Sequence, residues 1–322
     1  MVKINKYHSA IFNFLVNTIA FKEKSKLFRK FWDYTFFKST NSYSGAVSTT
    51  IHGYRAIMNN GYSYPIYARR FKNYNNPLIQ LVYTVNKHYD RKVVIVDVGS
   101  AIGDTNLLLI RNLPESIDKF YCVEGNTEFF SYLEDNMKVF DNNLLFNNLL
   151  SDKDDSLINN LEKTHLGTAS SIGSTEISSI TLDTLLLQTN PKEIDIIKID
   201  VDGFDGKILK GSTKIILKFK PLIIFEWHPL LIKKTNNNLN EPFDVLNQLD
   251  YNIFIWFTKY GKFSHFTTNK ELENIQIINE LCIRNIHDWD FHYDIIAVHK
   301  ESKINIFELA EMQFAKRIKS RF

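Results

Sequence analysis

Val93 to Thr105 reads VVIVDVGSAIGDT, and this stretch decides the fold. An apolar, β-branched run is broken only by Asp97 and closed by Gly99; Gly103 follows, and a helical pattern then extends from Thr105 to Asn112. A run this continuous is a strand buried on both faces, as in a parallel sheet. The order strand, glycine turn, helix marks the place where an open α/β sheet binds its ligand, outside the carboxyl ends of its strands. Glycine lets the backbone take positive φ and come close to a ligand, and the helix behind it presents free N–H groups.

Outward from this unit the rhythm repeats. Strand patterns fall within Asp118 to Glu124, Asn143 to Leu150, Ile194 to Asp200 and Leu222 to Trp227, with helical patterns at Glu128 to Phe140 and Phe204 to Lys218. This predicts a doubly wound α/β sheet. Tyr251 to Thr258 and Tyr293 to His299 add an antiparallel pair at one edge, and the long stretch between them carries structure of its own. Residues 75–300 form this main domain, entered through a helix at 75–90. Residues 1–74 form an N-terminal, mainly helical region on the substrate side, with loops around a short helix at 39–63. Residues 301–322 form a C-terminal amphipathic helix whose basic end holds Lys316, Arg317, Lys319 and Arg321.

Residues 1–40 carry eight Lys or Arg against two acids, Glu23 and Asp33, interleaved with Phe12, Phe14, Leu15, Phe21, Leu27, Phe28, Phe31 and Trp32 at helical spacing. They read as amphipathic helices packed on the main domain, or as a basic, aromatic segment for peripheral membrane contact.

Composition narrows the function. Hydrophobic residues make up 44% and charged residues 23%, the balance of a globular protein rather than a disordered one. A net charge of +3 is too small for a nucleic-acid binder. Cys122 and Cys282 form no CxxC or other zinc pattern and read as buried free thiols in a reducing compartment. No secretory signal and no apolar run of transmembrane length is visible, which points to a cytoplasmic protein, with residues 1–40 suited to the inner face of a membrane.

The glycine turn discriminates between cofactors. A dinucleotide fingerprint G-x-G-x-x-G, counted from Gly99, meets Ala101 and Asp104 instead of glycine. Asp104 at the helix start also repels a pyrophosphate. S-adenosylmethionine, with a cationic amine and sulfonium, fits beside Asp97, Ser100 and Asp104. Glu124 ends the second strand 25 residues after Gly99, where an acid accepts the ribose hydroxyls of an adenosine cofactor. Asn126 follows it, and Ser151 and Asp152 occupy the loop after the third strand, within reach of the adenine. The fourth strand ends in Ile197 to Gly211, IKIDVDGFDGKILKG. Asp200 and Asp202 there face the methyl donor and acceptor, while Asp205 reads as a helix N-terminal acid. Three acids so close are compatible with a divalent cation, although the spacing does not call for one. Glu226 and His228 alternate at the end of the fifth strand and share a side. Asp200, Asp202 and His228 are the catalytic candidates, His228 as general base or as a structural histidine beside Pro229.

Together these segments resemble the FkbM family of methyltransferases. The likeness runs from Val93 to Pro229. Asp97, Gly99 and Gly103 match a D-x-G-A-N-x-G turn, with Ser100 and Ala101 standing at its Ala and Asn positions. Val123, Glu124 and Asn126 match V-E-P-N-P. Lys198, Asp200, Val201, Gly203, Leu209, Lys210 and Gly211 match K-x-D-V-E-G-x-E with L-K-G, and Thr181-Leu182-Asp183 and Lys220-Pro221 match T-L-D and K-P. The resemblance implies a seven-stranded, Rossmann-like methyltransferase sheet and O-methylation of a sugar in a glycan or of a natural-product hydroxyl. The rivals are a nicotinamide-dependent oxidoreductase, against which the failed dinucleotide spacing speaks, and a non-catalytic scaffold, against which the intact motif residues speak.

Overall fold

The computed structural model describes residues 2–163, 169–268, 273–284 and 291–310, with backbone alone at 160–163, 169–175 and 273–274. The N-terminal region comprises α1 (Lys6–Thr18), α2 (Lys26–Ser42), the strands β1 (Ala46–Ile51) and β2 (Tyr54–Asn59), α3 (Tyr64–Arg70) and α4 (Asn76–Tyr89). The sheet domain begins with β3 (Val93–Val98), α5 (Asp104–Asn112), β4 (Ile117–Val123), α6 (Thr127–Asn136) and β5 (Asn143–Phe146). A small antiparallel pair, β6 (Leu157–Lys163) and β7 (Ala169–Ser178), and α7 (Leu182–Leu187) precede β8 (Ile196–Ile199). Then come α8 (Asp205–Lys210), α9 (Thr213–Phe219), β9 (Leu222–Trp227), α10 (Pro229–Lys234), α11 (Glu241–Gln248), β10 (Tyr251–Thr258), β11 (Phe263–Thr268), α12 (Glu273–Arg284) and β12 (Tyr293–His299).

The main sheet has the order β11-β10-β12-β9-β8-β3-β4-β5. The five strands from β5 to β9 run parallel, and β12, β10 and β11 add antiparallel pairings. The expected seven strands are therefore joined by an eighth, β11, at the edge. It lies in the long stretch between β10 and β12, together with α12.

Both faces of the sheet are covered, for the reason the apolar run gave. Along β3, Val94, Val96 and Val98 enter one core with residues of α7, α8, α9 and α11. Val93 and Ile95 enter a second core with residues of α4 and α5. Each such fully buried side chain contributes about 1.5–3 kcal/mol, so a charge at Val96 would break the centre of the sheet. Even-numbered residues of β8, β9 and β12, including Ile196, Ile224 and Ile296, join Ile95 on the second face. Asp97, two residues on from Ile95, therefore shares that face with Lys198, Glu226 and Asp294 at the carboxyl end.

Residues 39–63 differ from the expected loops. Val47 to Met58 form a hairpin around His52 and Gly53, whose φ values of 50° and 86° suit a two-residue turn between right-twisted strands. Ala46, Val47, Ala56 and Met58 share a core with Phe12 and Val16 of α1 and with Ile102, Leu107, Phe129 and Tyr132 of the sheet domain. Helix resumes at residues 306–310, and the basic end of the expected C-terminal helix lies outside the described residues. Among the described residues, no helix is long and apolar enough to cross a membrane.

Candidate active site

The strand order reverses between β3 and β8, and the site is built at their carboxyl ends. Gly99 (φ 77°), Ala101 (φ 46°) and Gly103 (φ 82°) place the turn in the left-handed region. A Cβ on Gly99 would lie 1.9 Å from the carbonyl oxygen of Asp200, and one on Gly103 would lie 3.0 Å from Leu133 and 3.2 Å from Met137 Sδ. Their missing Cβ atoms also admit protein neighbours: the β8 loop at Gly99, and Leu133 and Met137 at Gly103. The turn itself sits where a ligand is expected, because positive φ carries the chain across the end of β3.

Glu124 fastens the turn. One carboxylate oxygen accepts the N–H of Ala101 at 2.8 Å and the other accepts that of Asn126 at 2.7 Å. Burial pushes this carboxyl up to about 7 against the lowering effect of those two N–H groups. The side chain of Asn126 caps α6, accepting from the N–H groups of Glu128 and Phe129 at 3.0 Å each. Ser100 is buried and donates to the Asp97 carbonyl at 2.7 Å. Asp104 is buried under Tyr62, whose phenol donates to its carboxylate, and burial holds Asp104 at about 7 as well. The N-terminal region, expected on the substrate side, thus contributes Tyr62 to the surroundings of the glycine turn.

Asp97 pairs with Lys198 directly across from it in the β3–β8 register, at 3.0 Å and with both side chains buried. Lys198 also lies 3.4 Å from Asp200, which is exposed. Asp202 follows with φ 51° and is partly exposed. Asp205 opens α8 as a buried acid, pushed far up by burial and by Asp200. Glu226 stands directly opposite Asp294 on β12. Burial and the nearby Asp200, Asp202 and Asp205 raise Glu226 well above the usual carboxylate range, and burial with Asp200 holds Asp294 at about 7. His292 Nε2 approaches Glu226 at 3.4 Å, and the buried His228 stacks on the His292 ring at 5.2 Å.

The structure therefore gathers Asp97, Asp104, Glu124, Asp200 and Asp202 around the turn. His228 lies deeper, beside Glu226 and His292. Ser151 and Asp152 are engaged elsewhere: Asp152 pairs with Lys210 at 3.0 Å, and the Ser151 carbonyl packs where a Cβ on Gly211 would fall. Sequence reasoning gave no role to Asp294, His292, Tyr62 or Lys198. Two signals were available: the antiparallel pairing predicted for residues 293–299 and the two-residue period that puts Lys198 beside Asp200. Tyr62 gave none, because its contact with Asp104 spans 42 residues.

The residues fit S-adenosylmethionine. Around the turn the carboxyls of Asp97, Asp104, Glu124, Asp200 and Asp202 gather near Lys198, which is already paired to Asp97, and cations settle against such a wall more easily than phosphates do. Each Glu124 oxygen keeps a lone pair for a ribose hydroxyl after accepting one N–H. No group of three or more His, Cys, Asp or Glu residues able to hold a metal occurs among the described residues.

No protein of curated function matches the sequence. Among solved structures, a methyltransferase FkbM from Methylobacillus flagellatus KT is 15% identical over 50% of this chain and 39% of its own, with a TM-score of 0.36. This chain thus spans well under half the length of that protein. A precorrin-6y C5,15-methyltransferase from Geobacter metallireducens is 13% identical, covering 68% of this chain and 87% of that one, with a TM-score of 0.35. An O-methyltransferase from Bacillus cereus in complex with SAH is 12% identical, covering 69% and 79%, with a TM-score of 0.37. Likenesses this distant add no weight. In sequence, residues 97–253 match the methyltransferase FkbM domain family. The glycine turn, the acid after β4 and the acid loop after β8 all fall inside that segment, so the part of the chain that carries the site is similar to the methyltransferase FkbM domain, with S-adenosylmethionine as the cofactor this match supports.

Proposed function

We propose that this chain transfers a methyl group from S-adenosylmethionine to a hydroxyl oxygen, that of a sugar in a glycan. The carrying observation is the pairing of the stapled glycine turn with an exposed Asp200 and a partly exposed Asp202 beside it. The choice of oxygen and of a glycan rests on the resemblance of the strand-end motifs to the FkbM family.

The donor supplies an electrophilic methyl group on a sulfonium. The chain's own residues align and solvate the reactants. Glu124 holds the turn rigid, so that reactants are set in line without further reorganisation. Asp97, paired with Lys198, shapes the floor of the site, and Asp104, held by Tyr62, supplies negative charge beside the cation when ionised. As the acceptor oxygen bonds to carbon, its hydroxyl proton must leave, and we assign its acceptance to Asp202 ahead of His228. Asp202 reaches solvent on the loop, whereas His228 is buried against His292. Asp200, anchored by Lys198, positions the acceptor.

Titration calorimetry of the full chain with S-adenosylhomocysteine and with NAD tests the cofactor class: binding of NAD alone would overturn it. Transfer of labelled methyl from S-adenosylmethionine to oligosaccharides, beside small phenolic and amine acceptors, tests the rest. Label found only on nitrogen or carbon would refute the oxygen acceptor, and label only on small hydroxylated molecules would refute the glycan.

A further inference from the structure

The N-terminal helices carry an apolar face with nothing described against it. Ser25 caps α2 by accepting from the Phe28 N–H. One side of α2 is fastened to the protein: Trp32 is buried, donates to the Leu15 carbonyl at 3.0 Å and stacks on Phe36. Trp32, Phe36 and Ser39 recur at helical spacing on that inner side. Leu27, Phe31 and Tyr34 recur at the same spacing, shifted five residues and so nearly half a turn away. They are exposed, Leu27 at 79% and Tyr34 at 63%. Phe14 of α1 meets Phe31 edge to face at 6.2 Å, and the exposed Phe21 and Phe37 extend the patch. A soluble surface scatters such residues singly; here they are contiguous and aromatic.

The charges around this face have one sign. The two acids of residues 1–40 are both engaged: Asp33 with Lys22 at 2.6 Å, and Glu23 with Arg70 at 2.9 Å. Lys24, Lys26, Lys30 and Lys38 are exposed. Lys24 lies over the Phe21 ring and Lys38 over the Tyr34 ring, so cations border the aromatic stripe instead of interrupting it. Aromatic and leucine side chains on one face with lysines at the rim form the arrangement by which a helix lies in a bilayer interface. The apolar face enters the acyl boundary while the long lysine stems reach up to anionic headgroups. A second copy of this chain would bring like charges together around the same patch.

We propose that the outer face of α2, with Phe14, Phe21 and the bordering lysines, docks this protein on an anionic lipid bilayer. The segment before α2 is tied to α3 through the Glu23–Arg70 pair, since Arg70 closes α3.

The test is co-sedimentation of the full chain with vesicles of phosphatidylcholine and phosphatidylserine, beside vesicles of phosphatidylcholine alone. The protein is expected to sediment with the anionic vesicles only and to be released by added salt. Two variants separate the components: Leu27→Ser/Phe31→Ser/Tyr34→Ser removes the apolar stripe, and Lys24→Glu/Lys30→Glu reverses part of the rim. Each is expected to weaken vesicle binding by about tenfold or more, as loss of interfacial lysines or buried rings predicts. All these residues are exposed, so thermal unfolding should stay at the parental temperature, and a change there would be read with the lysine variant alone. Failure to sediment at low salt overturns the proposal, as does undiminished binding of the triple variant. Self-association of the parent that the triple variant abolishes, with no vesicle binding, would assign the face to a second copy instead.

Discussion

Burial holds three carboxyls of the site, Asp104, Glu124 and Asp294, at about 7. This makes donor binding a proton-release reaction. A cation against such a group favours its ionised form and lowers its pKa. If the ammonium and sulfonium of S-adenosylmethionine return Glu124 to the ordinary carboxylate range, affinity carries the factor 1 + 10^(pKa − pH). That factor weakens binding about elevenfold at about pH 6 and is close to unity at about pH 8. Asp104 responding in the same way raises the span to about a hundredfold. The assay is titration calorimetry of the full chain at both pH values, in two buffers of different ionisation enthalpy. The expected result is tighter binding at the higher pH and a buffer-dependent heat at the lower one. S-adenosylhomocysteine, which lacks the sulfonium charge, should show a shallower dependence, and Glu124→Gln should flatten the profile. A dissociation constant equal at the two pH values, with a buffer-independent heat, would refute the argument that these acids face the donor's charge.

The same groups act on stability with the opposite dependence. Their folded-state pKa values are raised, so they stabilise the ligand-free chain fully below about pH 4, and that contribution is lost as pH rises through about 7. The melting temperature of the ligand-free chain should therefore fall between about pH 5.5 and about pH 8; a constant value would contradict the raised carboxyls. Gly99→Ala places a Cβ 1.9 Å from the Asp200 carbonyl oxygen, and should cost more than about 4 kcal/mol in a urea melt. Parental stability would show that the turn and the β8 loop separate easily. Lys198→Met leaves Asp97 buried without its cation and should cost about 3–5 kcal/mol; Asp97→Asn in the same chain should recover part of it, and no recovery would mean that the pair is not the cause. Asp202→Asn should lower kcat by about 10²–10⁴-fold with donor affinity kept, and a larger loss in His228→Ala would move the proton to the histidine.

The parallel part of the fold was legible because its signal is local. β3 and β9 lie where their apolar runs lie, since a strand buried on both faces cannot hide its composition. The eighth strand was not. Phe263–Thr268 alternates weakly and pairs only along one edge, so little of its sequence is committed to a core. The β1–β2 hairpin is hidden although His52-Gly53 is a turn signal between the strand-forming residues Ile51 and Tyr54; Ser and Thr in Ser48-Thr49-Thr50 disguise the strand as a loop. At the site, the positions of Asp97, Glu124, Asp200 and Asp202 followed from strand ends. Their partners did not, because Tyr62, Asp294 and His292 reach the site through contacts distant in sequence.

These partners change what the acids mean. An acid at a strand end reads the same in sequence whether it binds a ligand or fastens a loop. Here Glu124 fastens the turn with both oxygens and Asp97 is neutralised by Lys198, so each has a structural task before any ligand arrives. Beyond them, burial raises the carboxyls of Asp104, Glu226 and Asp294, and the Lys198 ammonium offsets this only in part at Asp104 and Asp294. Burying such groups in the charged form is costly, so they hold protons near neutrality. A cationic donor replaces those protons as the compensating charge. Anything that binds the folded chain and not the unfolded one raises its stability by mass action. The donor should therefore raise the melting temperature most at alkaline pH, where the protons are gone and Lys198 alone does not balance the acid wall.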